Sequence, residues 1–450
     1  LTLFPMNNQT SRRGFIKKMA LGSAALYTPE AIFSSALNMN ESKTNKNSAI
    51  QIALIGAGGM GTSDTRTALA VDGVKLVAVC DLYNKRLEDA KGRWGNDLFV
   101  TKEYKEILAL NNVDAVIIGT PDHWHHPIAM DAMKAGKHIY CEKPIIHKLH
   151  EGKELIDAQQ KSNTCFQIGS QGMASVGNKI AKIIIQNGII GKVNYIDGQF
   201  TSAPRALQPY NPPADANTGS IWWEQFLGNA PDIPFDAQKF FAWRNWKDYG
   251  TTIAGDLFVH VISSVHYIMD APGPGKIYTT GGIHHYTDGS RDTPDIMLGY
   301  LDYPDNNNMG AFTLSMGANY VDGVSKKWGS TDFQITGSRG TLQVGWNQVT
   351  LKTTYDVDEN EIQLQDQVGE HLGAIKKVSP REYTFHAVEG YRGGHYHHFL
   401  NFFNGIRHNK PIVADVNFGV RSSAPALLCY ESCLKEKAIN WDPINLKITS

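Results

Sequence analysis

Cysteine, long apolar runs and any surplus of one charge are all scarce in this sequence. The five cysteines (Cys80, Cys141, Cys165, Cys429 and Cys433) are odd in number and scattered, with no Cys-x-x-Cys pair. This excludes a disulfide-built scaffold and fits folding in a reducing compartment. No apolar stretch reaches the roughly 18 residues that a spanning helix needs, so no membrane span is expected. Lys and Arg number 43 against 44 Asp and Glu, and no basic stripe marks the body of the chain, so nucleic acid is not an expected partner. The histidine clusters His123/His125/His126 and His395/His397/His398 lack Glu or Cys at ligand spacing such as His-Glu-x-x-His, and no metal is expected. What is present is a globular composition, 42% hydrophobic and 19% charged over 450 residues. That length exceeds one ordinary core and points to two domains plus a leader.

The leader reading rests on Ser11-Arg12-Arg13-Gly14-Phe15-Ile16-Lys17, a short apolar stretch from Met19 to Leu26, and small residues at Ser34-Ser35-Ala36. The pattern resembles a twin-arginine export signal. It implies a signal over 1–36, a linker over 37–48, the twin-arginine machinery as a partner, and a periplasmic or otherwise exported destination. That route moves proteins already folded, which explains an exported chain without a disulfide pattern.

Residues 50–56 (Ile-Gln-Ile-Ala-Leu-Ile-Gly) read as a buried strand ended by glycine. Gly56-Ala57-Gly58-Gly59-Met60-Gly61 follows, then a helix over Thr62–Ala70, then a second strand over Val74–Cys80 closed by Asp81. In such a unit the first glycine makes the tight turn, the second admits a pyrophosphate, and the third lets helix pack on strand. The helix N-terminus offers free N–H groups to phosphate. Asp81 stands 20 residues beyond Gly61, where a carboxylate accepts from ribose hydroxyls and repels a 2′-phosphate. The cofactor expected is therefore NAD. A third strand, Val113–Gly119, runs into Thr120-Pro121-Asp122-His123-Trp124-His125-His126-Pro127, a helix follows over Ile128–Ala135, and His138-Ile139-Tyr140-Cys141 leads into Glu142-Lys143-Pro144. Both polar clusters fall at strand ends, where open parallel sheets bind ligands.

A dinucleotide fingerprint, then Thr-Pro-x-x-x-His, then Glu-Lys-Pro at these separations resembles the Gfo/Idh/MocA (glucose–fructose oxidoreductase / inositol dehydrogenase) family, over about residues 50–440. The resemblance implies an α/β Rossmann domain with a doubly wound parallel sheet over 49–170. It also implies an α+β domain with an open, mainly antiparallel sheet over 171–450, used for substrate binding and oligomer contacts. The second domain's candidate strands are Val193–Thr201, Ile277–Tyr286, Ile296–Tyr303, Gly310–Ala318, Asp332–Thr336 and Gly340–Val344. Gly337-Ser338-Arg339-Gly340-Thr341-Leu342 resembles a late hairpin of the family, and Tyr396–Ile406 with Pro411–Tyr430 its helical return towards the first domain.

Carried onto this chain, the resemblance places Lys143 between nicotinamide and substrate. Gly56, Gly58, Gly59, Met60, Gly61, Asp81, Thr120, Pro121, His125 and Glu142 then border the cofactor. Asp256 and His260, four apart in Ala254-Gly255-Asp256-Leu257-Phe258-Val259-His260, share a face if helical. They match a family Asp-x-x-x-His pair that projects into the cleft. A histidine titrating near neutrality suits removal of a hydroxyl proton, Asp256 orients it, and the Lys143 cation stabilises an alkoxide. Many members carry a second Asp three residues after the His and Gly before it; here those positions are Ser263 and Val259, which leaves substrate contacts open. The competing reading of His260 is packing on an otherwise apolar helix, satisfied by Asp256. Trp124, Arg244 and Tyr249 are candidate substrate contacts, with packing as the alternative for each.

Three functions follow as expectations. The first is an NAD-dependent oxidoreductase acting on a secondary hydroxyl or ketone of a sugar, glycoside or cyclic polyol. The second is a glycosidase that uses tightly bound, recycled NAD for transient sugar oxidation and elimination. The third is a non-catalytic sugar-binding module. A homo-oligomer is expected from the resemblance.

Overall fold

The computed structural model describes residues 49–201, 211–305, 310–321, 331–358, 362 and 372–449. The signal and linker read over 1–48 lie outside them.

The first half is a six-stranded parallel sheet in the order β3-β2-β1-β4-β5-β6. Its strands are β1 (Ile50–Ile55), β2 (Val74–Cys80), β3 (Phe99–Thr101), β4 (Ala115–Ile118), β5 (His138–Glu142) and β6 (Phe166–Gly169). Helices cover both faces, so β4 and β6 are buried along their whole length, as continuous apolar runs in a parallel sheet require. The chain winds outward from β1 through β2 to β3, then crosses back to β4 on β1's other side. The crevice between the ends of β1 and β4 is therefore the switch point where such sheets bind ligands.

The second half is an eleven-stranded sheet in the order β14-β15-β13-β12-β11-β7-β10-β9-β8-β16-β17. These are β7 (Val193–Thr201), β8 (Lys276–Gly282), β9 (Ile296–Tyr303), β10 (Phe312–Asn319), β11 (Phe333–Gly337), β12 (Gly340–Val344), β13 (Gln348–Thr353), β14 (Gly373–Ser379), β15 (Glu382–Ala387), β16 (Ile439–Asp442) and β17 (Lys447–Thr449). β7 and β10 pair in parallel; every other pair is antiparallel. Alternation marks the covered face: Met297, Leu301 and Tyr303 point inward on β9, while Leu298 and Tyr300 are exposed. Helices Val176–Gln186, Val259–Met269 and Val416–Lys435 pack on one another or on the strands of this covered face.

The helical return is observed as Gly394–His408 followed by Val416–Lys435. Phe399, Phe402 and Phe403 of the first helix are fully buried in the same core as Ile52, Leu54 and Ile117 of the parallel sheet. Tyr140 of β5 stacks on Phe399 at 4.2 Å between ring centroids. The C-terminal segment thus completes the hydrophobic core of the first domain.

Candidate active site

At the end of β1, Gly56 takes φ +95°, and a side chain there would come within 2.7 Å of the Gly119 backbone after β4. A Cβ at Gly61 would strike the Gly56 carbonyl. Glycine is needed at both positions for the helix Gly59–Ala68 to seat against the sheet. Gly58 caps that helix and no side chain bonds its first N–H groups, which leaves them for an anion. They open onto a groove of about 510 Å³ walled by Gly56, Gly58, Gly59, Met60, Thr120 and Pro121. Asp81 stands at one end. Its carboxylate accepts from the Ala57 N–H at 2.8 Å and the Tyr83 N–H at 3.0 Å, so it braces the glycine loop as well as facing the groove. Uncapped helix, glycine floor and terminal carboxylate fit a dinucleotide, with the adenosine ribose towards Asp81.

The sequence reading missed the outer wall of this groove: Arg86, Lys102, Tyr104, Phe240, Phe241 and Trp243. Arg86 lies 3.4 Å from Asp81 and over the rings of Phe240 and Phe241 at about 5.5 Å. The aromatic density of 240–246 was the available signal, but its meeting with Tyr83 and Arg86 is a long-range event.

The groove continues into a second cavity of about 250 Å³, with Met60, Gly119, Thr120, Trp243 and Arg244 lining both. Here Lys143 and the Asp256–His260 segment meet. Lys143 Nζ donates to the Asp256 carbonyl oxygen at 2.7 Å and to its carboxylate at 3.2 Å. Arg244 Nε donates to the same carboxylate oxygen at 3.1 Å. The segment Ala254–Phe258 is a π-helical turn that becomes α-helix at Val259, a widening common at functional sites. Gly255 permits it, since a Cβ there would overlap the Thr251 side chain. Burial pushes the Asp256 carboxyl up, but the Lys143 and Arg244 charges outweigh it and hold it well below the usual carboxylate range. The expectation that His260 titrates near neutrality is corrected. Burial first, then the Lys143 charge, lower it to about 3, with His395 adding in the same direction. His260 is therefore a neutral imidazole, ready to accept a hydrogen bond or proton but unable to store one.

Glu142 and His125 hold this cavity from behind. The buried Glu142 accepts from Gln171 Nε2 at 2.6 Å, and burial pushes its carboxyl up to about 7 against the pull of Lys143. The His125 ring lies between the Thr120 carbonyl (3.0 Å) and the Pro144 carbonyl (2.8 Å) and, as a neutral imidazole, donates its single N–H to one of them. The Lys143–Pro144 peptide is cis. Trp124 lines the groove, with its indole N–H donated to the Phe226 carbonyl at 3.0 Å, and does not line the Lys143–His260 cavity. Tyr249, read as a substrate contact, is instead core. It is 1% exposed, packed on Phe226 at 4.8 Å and His123 at 5.3 Å, because the loop before Thr251 folds back onto the aromatic cluster. Ser263 donates to the Val259 carbonyl within its own helix at 2.6 Å. The far wall is Thr331, Trp346 and His395, with the last two rings 5.3 Å apart. Among the described residues no group of three or more His, Cys, Asp or Glu could hold a metal, and no helix is long and apolar enough to cross a membrane. All five cysteines are free.

A switch-point groove for a dinucleotide, opening onto a lysine, a carboxylate and a neutral histidine, defines a two-domain protein of the nicotinamide-dependent oxidoreductase type. The chain belongs to the Gfo/Idh/MocA oxidoreductase family: residues 50–170 match its NAD-binding Rossmann fold and residues 231–440 its C-terminal alpha/beta domain. It is 30% identical over 179 residues to glycosyl hydrolase family 109 protein 2 of Shewanella sp. (strain ANA-3), a match spanning 35% of this chain and 39% of that protein's own length. It is 22% identical over 315 residues to an uncharacterized oxidoreductase of Streptococcus pneumoniae, covering 69% and 72% of the two chains. The solved structure of levoglucosan dehydrogenase in complex with NADH and levoglucosan shares the fold, with a TM-score of 0.64 and 19% identity over 87% of this chain and 99% of that one.

Proposed function

We propose that this chain is an exported NAD-dependent oxidoreductase that interconverts a secondary hydroxyl and a ketone on a sugar, glycoside or cyclic polyol. The observation that carries the reading is that Lys143 and His260 line the cavity that extends the dinucleotide groove, with Lys143 bonded to Asp256 of the groove wall. NAD would supply the hydride acceptor. The protein's part is to bind the hydroxyl oxygen and handle its proton. Lys143, anchored by Asp256, is positioned to donate to that oxygen and stabilise negative charge as it forms. His260, held neutral, accepts the hydroxyl's hydrogen bond, takes the proton as the hydride leaves and, unable to hold it, passes it on to solvent. Arg244 and Asp256 form a fixed polar wall that can take a neighbouring hydroxyl, and the Trp346 ring offers a flat apolar face to a sugar.

The test is spectrophotometric: purified protein with NAD+ is screened against free sugars, polyols and glycosides for NADH at 340 nm. Net NADH formation that is lost in Lys143→Met and His260→Ala supports the reading; unchanged turnover in both variants ends it. The similarity to a glycosyl hydrolase family 109 protein favours a second reading, in which bound NAD is reduced and reoxidised within one turnover and a glycosidic bond is cleaved. Cleavage of an aryl glycoside without net NADH, by protein that keeps NAD through gel filtration, distinguishes it. Export is tested separately by fusing residues 1–36 to a reporter and replacing Arg12 and Arg13 with Lys; the reporter stays in the cytoplasm if the pair is read by the twin-arginine machinery.

A further inference from the structure

Behind the Lys143–His260 cavity lies a second carboxyl that no motif points to. Asp64 sits one turn beyond Met60 on the helix Gly59–Ala68 and has no exposed surface. Neither of its oxygens receives a hydrogen bond from a protein N–H or O–H among the described residues. Its side chain lies in hydrogen-bonding contact with the carboxyl of Glu142, which forms part of the cavity wall. Two carboxylates in contact repel; the contact becomes a hydrogen bond only when one of them is protonated. Both carboxyls are raised, burial being the larger cause in each. The surroundings limit where that proton can go. Gln171 Nε2 occupies the other side of Glu142 and also donates to the Tyr140 hydroxyl at 3.1 Å. Lys143 and Arg244 are the cations that draw Glu142 towards ionisation, and the buried Tyr140 and Cys141 remain neutral beside the pair. Around the pair, the site sets Lys143 and Arg244 against Asp256, the buried Asp122 of the same cavity lining, and one further negative charge shared by Asp64 and Glu142.

We infer that Asp64 and Glu142 hold a single proton between them at the redox end of the groove, and that the protein gives up part of it to solvent when the oxidised, cationic nicotinamide binds but not when the reduced, neutral ring binds. The inference rests on the NAD reading above, which puts the ring at the Lys143 end because the ribose end belongs to Asp81. A positive ring beside the pair favours its doubly ionised form; by linkage, NAD+ then binds more tightly as pH rises through neutrality, while NADH does not. Asp64 acts through Glu142 and is a positioning residue.

The experiment is calorimetric titration of the full chain with NAD+ and with NADH, from pH 6 to 8, in buffers of different ionisation enthalpy. For the wild type about half a proton is expected to leave with NAD+ near pH 7 and close to none with NADH, so the ratio of the two affinities rises several-fold over the range, with a ceiling of about tenfold per pH unit. In Asp64→Asn the amide donates to Glu142 in place of the shared proton, and both the difference in release and the pH dependence of the ratio disappear. Equal proton release with the two nucleotides in the wild type overturns the inference without any variant, as does a difference that persists in a folded Asp64→Asn. Absence of binding by either nucleotide overturns the NAD reading and this inference with it; binding with equal release overturns this inference alone.

Discussion

Lys143 Nζ is held by two oxygens of Asp256, so its position is set before any substrate arrives. Removing its charge leaves Asp256 with Arg244 alone and leaves a developing alkoxide unsupported. Lys143→Met is expected to lower kcat by about 10²–10³-fold, read from initial rates. His260→Ala is expected to lower it by about 10²–10⁴-fold, and the double variant by less than the product, since the two act on one proton and one oxygen. The pH profile carries a further prediction. Because burial and Lys143 hold His260 near 3, the free protein's kcat/KM has no acid limb that belongs to His260; the limb expected near neutrality for NAD+ belongs to the Asp64–Glu142 pair. A limb near pH 6.5 that vanishes in His260→Gln would contradict this. At the other end of the groove, Asp81→Ala removes the partner of the Ala57 N–H. The loss of a charge-assisted bond of roughly 1.5–3 kcal/mol predicts NAD binding weaker by about tenfold or more, measured by titration.

At the scale of elements, two junctions hold the site. One is the π-helical turn Ala254–Phe258, whose wide path brings both Asp256 oxygens to Lys143. Gly255→Ala would drive a methyl group into Thr251, which itself bonds Asp122 through its hydroxyl at 2.6 Å and its N–H at 3.0 Å. The expected result is lost turnover with NAD binding largely kept, because the disturbance falls on the Asp256 segment and spares the glycine loop. The other junction is the helix Gly394–His408 against the parallel sheet. Phe402 is fully buried in that core, so Phe402→Ala should destabilise the protein by about 3–5 kcal/mol, seen as a lower denaturation midpoint. Because the same helix carries His395 into the cavity, its docking links the stability of the first domain to the far wall of the substrate cavity.

Over the whole molecule, buried histidines shape the response to pH. Burial lowers His266 to about 3 and His398 to about 4, and lowers His125 as well. The folded state refuses protons that the unfolded chain accepts below about pH 6.5. The stability these groups contribute is complete above that value and is lost as pH falls towards their folded values, at up to about 1.4 kcal/mol per pH unit for each. The Asp64–Glu142 pair runs the other way. Its raised carboxyls favour the folded state at low pH, and that contribution fades as pH rises through about 7. Thermal denaturation should therefore show a Tm that drops between pH 7 and 5. An unchanged Tm over that interval would mean the histidines are hydrated in solution.

Much of the first domain was legible because its information is local. Strand, glycines, helix, strand and Asp81 lie within about 30 residues, and fully buried parallel strands announce themselves as apolar runs. Lys143, Asp256 and His260 were legible as residue types in family motifs, and the alternation of Ile296–Tyr303 identified an antiparallel strand outright. The strands β13 to β17 were not foreseen, nor was the outer wall made by Arg86, Phe240 and Phe241, since each depends on partners far away in the chain. Between substrate contact and packing, the two readings open for Tyr249, the fold decides for packing by seating the ring on Phe226. The sequence by itself determined which groups the chain brings to the chemistry, through patterns set by helical and strand periods. Only the tertiary structure decided their state. Whether His260 carries a proton, or Asp64 and Glu142 share one, depends on burial and on charges more than a hundred residues away or on separate elements, and no local pattern encodes the dielectric around a side chain.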